Sequence, residues 1–166
     1  MLKSVRIMLA IAAFYDYEIW QMDVKTAFLN AFLEEELMMQ PKGFVDPKGA
    51  KKVCKLQRSI YGLVQASRSW NKCFDSVIKA YEFIQTFGEA FIYKKVNGSS
   101  IAFLILYVDD TLLIGNDIEF LDSIKGYLNK SFSKKDLGEP AYTLSINIYR
   151  DRSRRLIRFF NEYIPS

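Results

Sequence analysis

The chain has 166 residues, 50% of them apolar, 25% charged and 15% aromatic, with a formal net charge of +4. That length suits one globular domain, and thirteen Phe, ten Tyr and two Trp supply the bulk of a core, which excludes a wholly disordered chain. There is no histidine, so Ser-His-Asp and Cys-His triads, imidazole bases and His metal ligands are excluded, and any chemistry falls to carboxylates, lysines, hydroxyls or the two cysteines.

In chain order, Lys3 and Arg6 precede an apolar run, Ile7 to Phe14, in which Ala10-Ile11-Ala12 imitates a signal-peptidase site. Val5, Met8, Leu9, Ala12 and Ala13 nonetheless share one helical face behind Ser4 as cap, and a helix is expected. Glu18 to Asp23 alternates as a short strand ending on Asp23, and Pro41 to Lys52 reads as a loop inside the domain. Trp70, Cys73, Phe74, Val77, Ile78 and Tyr81 carry the spacing of an amphipathic helix beginning near Ser67. Ala90 to Val96 and Ile101 to Tyr107 flank Asn97-Gly98, a hairpin signal in which both of these residues would take positive φ. Leu112 to Gly115 reads as a returning strand. Asn116 with Glu119 resembles a capping box for a helix running to about Lys130, with Ile118, Leu121, Ile124 and Leu128 inward. Tyr142, Leu144, Ile146 and Ile148 then alternate as a further strand.

The resulting order of strand, helix, strand, strand, helix, strand predicts an α+β fold: a ferredoxin-like split βαβ antiparallel sheet with helices on one face. No apolar run approaches the about 20 residues of a membrane span, so no membrane partner is expected. Cys54 and Cys73 lack zinc-ligand spacing and read as reduced, mostly core thiols of an intracellular protein. Two basic clusters stand out: Lys48, Lys51, Lys52, Lys55 and Arg58, and Arg150, Arg152, Arg154, Arg155 and Arg158. Either is a polyanion surface or a solvated face.

Asp109 and Asp110 sit together in a turn after the apolar run Ile101 to Leu106. Alone, they fit plain turn chemistry. The split βαβ reading makes the strand ending at Asp23 their neighbour, which can gather three carboxylates. Such a group repels itself unless cations bind, and Mg²⁺ takes one or two carboxylates together with substrate phosphates. Two such ions can drive an in-line displacement without histidine, and no Walker-type glycine loop points to a P-loop enzyme.

Four blocks carry a family resemblance. Gln21-Met22-Asp23-Val24-Lys25-Thr26-Ala27-Phe28-Leu29-Asn30 resembles the first catalytic motif of Ty1/copia-type retrotransposon reverse transcriptases. The stretch from Lys55 to Trp70, with Tyr61-Gly62-Leu63 at its centre, resembles their next block. Tyr107-Val108-Asp109-Asp110 is similar to their Tyr-x-Asp-Asp signature, and Lys135-Asp136-Leu137-Gly138-Glu139 to a later block. The order and spacing hold over nearly the whole chain.

The resemblance implies an RNA-directed DNA polymerase palm with incomplete fingers over residues 1–156, no thumb, and a divergent tail over 157–166. It implies two Mg²⁺ ions, for which Mn²⁺ can substitute, on Asp23, Asp109 and Asp110 with the Val24 carbonyl as an additional ligand. Phe28 falls at the steric-gate position, where a ring would collide with a ribonucleotide 2′-OH; ordinary core packing is the other reading. Gln65 and Lys135 would attend the dNTP, Lys135 as a proton donor to pyrophosphate or simply as a solvated lysine. Arg58, Tyr61, Gly62, Arg68 and Tyr107 would contact an RNA or DNA template with its primer, while Tyr61 and Trp70 also read as core. Leu144 and Ser145 fall in the primer-grip block. By the same resemblance a relative works in cytoplasmic particles.

The sequence departs from the family at Val64, where lysine is usual, at Ser145, where glycine is usual, and at Glu89-Ala90-Phe91. The segment that clasps the triphosphate is also expected to be missing. A second reading, a catalytically inactive nucleic-acid-binding remnant of a degenerate element, therefore stands beside the polymerase.

Overall fold

The structure is a computed structural model that describes residues 2–49, 51–132, 134–138, 142–143 and 146–160. The chain falls into two units, one of residues 1–25 and 77–166 and one of residues 26–76.

The first unit opens with α1 (Leu2–Tyr15). All five residues of the expected apolar face, Val5, Met8, Leu9, Ala12 and Ala13, are buried. Ser4 lies inside this helix rather than capping it, and its hydroxyl donates to the Glu89 carboxylate. β1 (Glu18–Val24) follows.

The second unit contains a single 3₁₀ turn (Ala27–Asn30), the antiparallel hairpin of β2 (Phe32–Met39) and β3 (Val53–Arg58), and most of α2 (Ala66–Ala80). The Gln40 side chain cinches the long hairpin loop. Its amide donates to the carbonyls of Gly49 and Lys52, and its oxygen accepts from the Asp46 N–H. Trp70 is buried edge-on to Phe74 at 5.6 Å, as the helical stripe required. Cys54, by contrast, is exposed: β3 shows solvent most of its length, and a cysteine there has no core to enter.

Back in the first unit come β4 (Ile84–Gln85), β5 (Ile92–Asn97), β6 (Ser100–Tyr107) and β7 (Asp110–Gly115). They are followed by α3 (Ile118–Ser131) and β8 (Lys134–Gly138). These strands and β1 form a six-stranded sheet in the order β4-β5-β6-β7-β1-β8, every neighbour antiparallel. Helix α2 lies in the connection from β1 towards β6, and α3 in the connection from β7 to β8.

The helices do not all cover one face. Val5, Met8, Leu9 and Ala12 of α1 pack with Ile19, Ile92, Ile105, Leu112 and Ile114. Helix α3 lies on the other side, with Lys125 over the Trp20 ring and Leu121 against Gly115. A sheet covered on both faces explains why β6 and β7 read as continuous apolar runs rather than alternating ones.

The described residues of the alternating stretch from Tyr142 to Ile148 do not lie beside β1. They belong to a separate three-stranded sheet of β9 (Tyr142–Thr143), β10 (Ile146–Asp151) and β11 (Leu156–Phe160), whose Ile148 and Ile157 pack on the α1 core. The place beside β1 goes to Lys-Lys-Asp-Leu-Gly of β8, an outermost strand, a position that does not require apolar alternation.

Two turns differ from expectation in detail. The β5–β6 hairpin turns on Gly98-Ser99, since Asn97 pairs with Ser100, and Gly98 carries the positive φ of +60° that a glycine-first two-residue loop needs. Helix α3 is capped by Asp117, whose carboxylate accepts from the Phe120 N–H at 3.1 Å. Asn116 instead accepts from the Ile101 N–H and donates to the Ser99 carbonyl, and Ile118 is exposed.

Candidate active site

The acidic residues meet because of the β1–β7 register. Asp23 pairs with Asp110, and Asp110 also pairs with Tyr107 on β6. On the other flank Asp23 lies opposite Lys135 of β8. Tyr107, Asp110, Asp23 and Lys135 thus occupy one row across four adjacent strands. Directly opposed residues of antiparallel strands share a face, so the Asp23 and Asp110 side chains stand on the α1 side, at the end of the sheet beyond Ile19, Leu112 and Ile105.

Val108-Asp109 forms the two-residue loop that joins β6 to β7. The Asp109 carbonyl accepts from the Val24 N–H at 2.9 Å, tying this loop to the end of β1. Val108 takes φ +52°, a left-handed conformation that a β-branched side chain resists, with about 1–3 kcal/mol of strain. The loop that carries Asp109 and leads into Asp110 is therefore held in a bent shape by the strands on either side of it.

The electrostatics follow from this crowding. Burial pushes the Asp110 carboxyl above the usual carboxylate range; a hydrogen bond from Gln21 pulls it back, and the Asp23 and Asp109 charges push it up again. Gln21 donates from Nε2 to Asp110 Oδ1 at 3.1 Å. Its importance was not evident in the sequence, although its spacing was a signal: two residues before Asp23 in a strand puts it on the same face.

Among the described residues, no three Asp, Glu or Cys side chains close into a ready-made metal-binding group. The donor set still fits a hard divalent cation, because hard cations prefer carboxylate oxygens and Mg²⁺ fills the rest of its shell with substrate phosphate and water. The mutual repulsion at Asp110 is what a bound cation would relieve.

In the second unit, Phe28 packs against Tyr61, ring centroids 4.5 Å apart. Arg58 donates to the Leu29 carbonyl at 3.1 Å, fastening the end of β3 to the 3₁₀ turn. Gly62 takes φ +94° in the turn before α2, Arg68 is exposed near the start of that helix, and Gln65 is half-buried just ahead of it. Burial pushes the Cys73 thiol up while Arg58 pulls it down. Lys48, Lys51, Lys52 and Lys55 are all exposed. The arginine cluster is partly engaged: Arg150 pairs with Asp16 at 2.8 Å and Arg152 grips Glu18 through both carboxylate oxygens. Leu144 and Ser145 lie outside the described residues. No helix among the described residues is long and apolar enough to cross a membrane.

Residues 1–164 match the family described as reverse transcriptase (RNA-dependent DNA polymerase). The chain is 43% identical over 156 residues to the retrovirus-related Pol polyprotein from transposon TNT 1-94 of Nicotiana tabacum, covering 93% of this chain and 12% of that protein. It is 36% identical over 148 residues to the Pol polyprotein from transposon RE1 of Arabidopsis thaliana, covering 89% of this chain and 10% of the polyprotein. A transposon Ty5-1 protein of Saccharomyces cerevisiae is 33% identical over 144 residues, 86% of this chain and 47% of that protein. The chain thus spans about a tenth of the two plant polyproteins. No solved structure matches. With Asp23 and Asp110 paired on adjacent strands and residues 1–164 matching one family, the chain belongs to the reverse transcriptases (RNA-dependent DNA polymerases) of Ty1/copia-type transposons.

Proposed function

We propose that this chain forms the palm and part of the fingers of an RNA-directed DNA polymerase that adds deoxynucleotides to a primer 3′-OH. The observation that carries the reading is the pairing of Asp23 with Asp110 on adjacent strands, with Asp109 in the loop between β6 and β7. The sheet order β6-β7-β1-β8, with helices in both crossovers, is the order a ferredoxin-like split βαβ demands, and it supports reading the first unit as a palm.

In this reading Asp23, Asp109 and Asp110, with the Val24 carbonyl, hold two Mg²⁺ or Mn²⁺ ions. When bound, such ions activate an attacking hydroxyl and stabilise charge on a leaving pyrophosphate. The chain's own residues do the rest. Phe28 blocks a 2′-OH and so selects dNTPs over ribonucleotides, and its packing on Tyr61 stiffens the ring for that task. Gln65 contacts the incoming nucleotide. Lys135, opposite Asp23 in register, gives a proton to pyrophosphate. Arg58, Tyr61, Gly62, Arg68 and Tyr107 hold the template and primer, by phosphate charge and base stacking, with Leu144 and Ser145 on the primer strand.

The test is primer extension by the purified chain on poly-rA/oligo-dT with Mg²⁺ or Mn²⁺, beside the Asp109→Asn, Asp110→Asn double variant. Extension that disappears in the double variant is the expected result. Equal extension by both proteins, or none from a chain shown to be folded, would overturn the assignment of this activity to the chain.

A further inference from the structure

Gln21 is 4% exposed, one of three buried polar side chains among the described residues, the others being Ser59 and Thr111. Its strand neighbours on the same face are Ile19 and Asp23, and its register partner on β7 is Leu112. An apolar residue would serve this position better as packing, because Ile19, Leu112, Ile105 and Ile114 already form the α1-side core. The amide is instead spent on Asp110, two residues before Leu112 on β7 and therefore diagonal to Gln21 across the strand pair. Diagonal neighbours are about 7–8 Å apart, a gap that a glutamine spans and an asparagine, one methylene shorter, does not. The 3.1 Å hydrogen bond from Nε2 to Oδ1 closes it.

We infer that Gln21 is the positioning residue of the acidic row, fixing the Asp110 carboxylate through one oxygen so that it is presented as a cation ligand. This rests on the reading of Asp110 as a metal ligand given above. A carboxylate tied through one oxygen no longer rotates freely, so the ligand is oriented before the cation arrives. Thr111 is buried on the opposite face of β7, and Ser59 belongs to the second unit. Gln21 is thus the buried polar side chain of the first unit that lies on the acidic face.

The experiment counts free Mn²⁺ by room-temperature EPR during titration of the full chain. It compares wild type with Gln21→Met, Gln21→Asn, Asp110→Asn and the Gln21→Met, Asp110→Asn double variant, each checked for cooperative melting. Partners that orient metal ligands are worth about 10–100-fold in affinity. Gln21→Met and Gln21→Asn should each weaken Mn²⁺ binding by that factor, and Gln21→Met should add nothing once Asp110 is replaced. If either folded Gln21 variant binds Mn²⁺ as wild type does, while Asp110→Asn does not, the inference is overturned and the metal reading stands. If wild type and Asp110→Asn bind alike, or neither binds, the metal reading fails and takes the inference with it. Loss of folding in both Gln21 variants would show a residue needed for the fold instead, and would overturn it too.

Discussion

Gly115 closes β7 at the end of the sheet away from the acidic row, and replacing it with alanine gives a sharp test of the packing. A Cβ built there would stand 2.6 Å from the Ile101 carbonyl oxygen and 2.8 Å from Leu121 Cδ2. The leucine end can rotate away, but the carbonyl cannot. It accepts from the Asn116 N–H while Asn116 Oδ1 accepts from the Ile101 N–H, so moving it strains a reciprocal clamp. Overpacking of this kind costs about 1–3 kcal/mol. Against it stands about 0.4–1 kcal/mol gained because alanine has less backbone freedom to lose than glycine. The net expectation is a destabilisation of about 1–2 kcal/mol. For a chain of this size each kcal/mol lowers the melting midpoint by about 2–4 °C. Urea unfolding followed by circular dichroism, with Gly126→Ala as the control whose Cβ meets nothing within 4 Å, reads the effect directly. A Gly115→Ala protein as stable as wild type would refute the close approach of α3 and β6 to this residue.

Two further outcomes are expected. Asp110→Asn should stabilise the fold at neutral pH. The folded carboxyl titrates above its ordinary 3.8, so its ionised form is penalised once the pH exceeds that range. The gain should shrink as pH falls through the raised folded value and vanish below 3.8, where wild type is protonated in both states; a pH series of thermal melts checks the sign. Glu18→Gln removes one partner of the two-pronged Arg152 contact at 2.7 and 2.8 Å. It should cost about 0.5–1 kcal/mol at low salt and less in 1 M NaCl, measured by paired denaturant titrations.

The parts of the fold legible from sequence are those where one face dominates. The α1 stripe from Val5 to Ala13 and the α2 stripe through Trp70 and Phe74 are buried as their spacing demanded. Asp23 and Asp110 meet because the order of elements allowed β1 to lie beside β7. What could not be read depended on distant partners. Both Asn116 and Asp117 are good capping residues, and the choice between them is made by Ile101, which occupies the Asn116 side chain. The edge strand β8 carries two lysines, an aspartate and a glycine among its five residues, so no alternation marked it. Gln21 looked like any polar strand residue until the diagonal to Asp110 was formed.

The acidic row also has a place in time. Gln21 and Asp110 are 89 residues apart in the chain, and neither stretch alone contains a precursor of the site. A growing chain that has passed β1 carries Asp23 on a strand whose two flanks, β7 and β8, do not yet exist. Long-range strand pairing is the slow part of folding, and here it is also the step that creates the charge cluster. The same pairing that buries Leu112 and Ile114 brings the carboxylates together, so apolar burial drives the assembly of groups that repel. Formation of the row and closure of the sheet are thus one and the same pairing of β1 with β7.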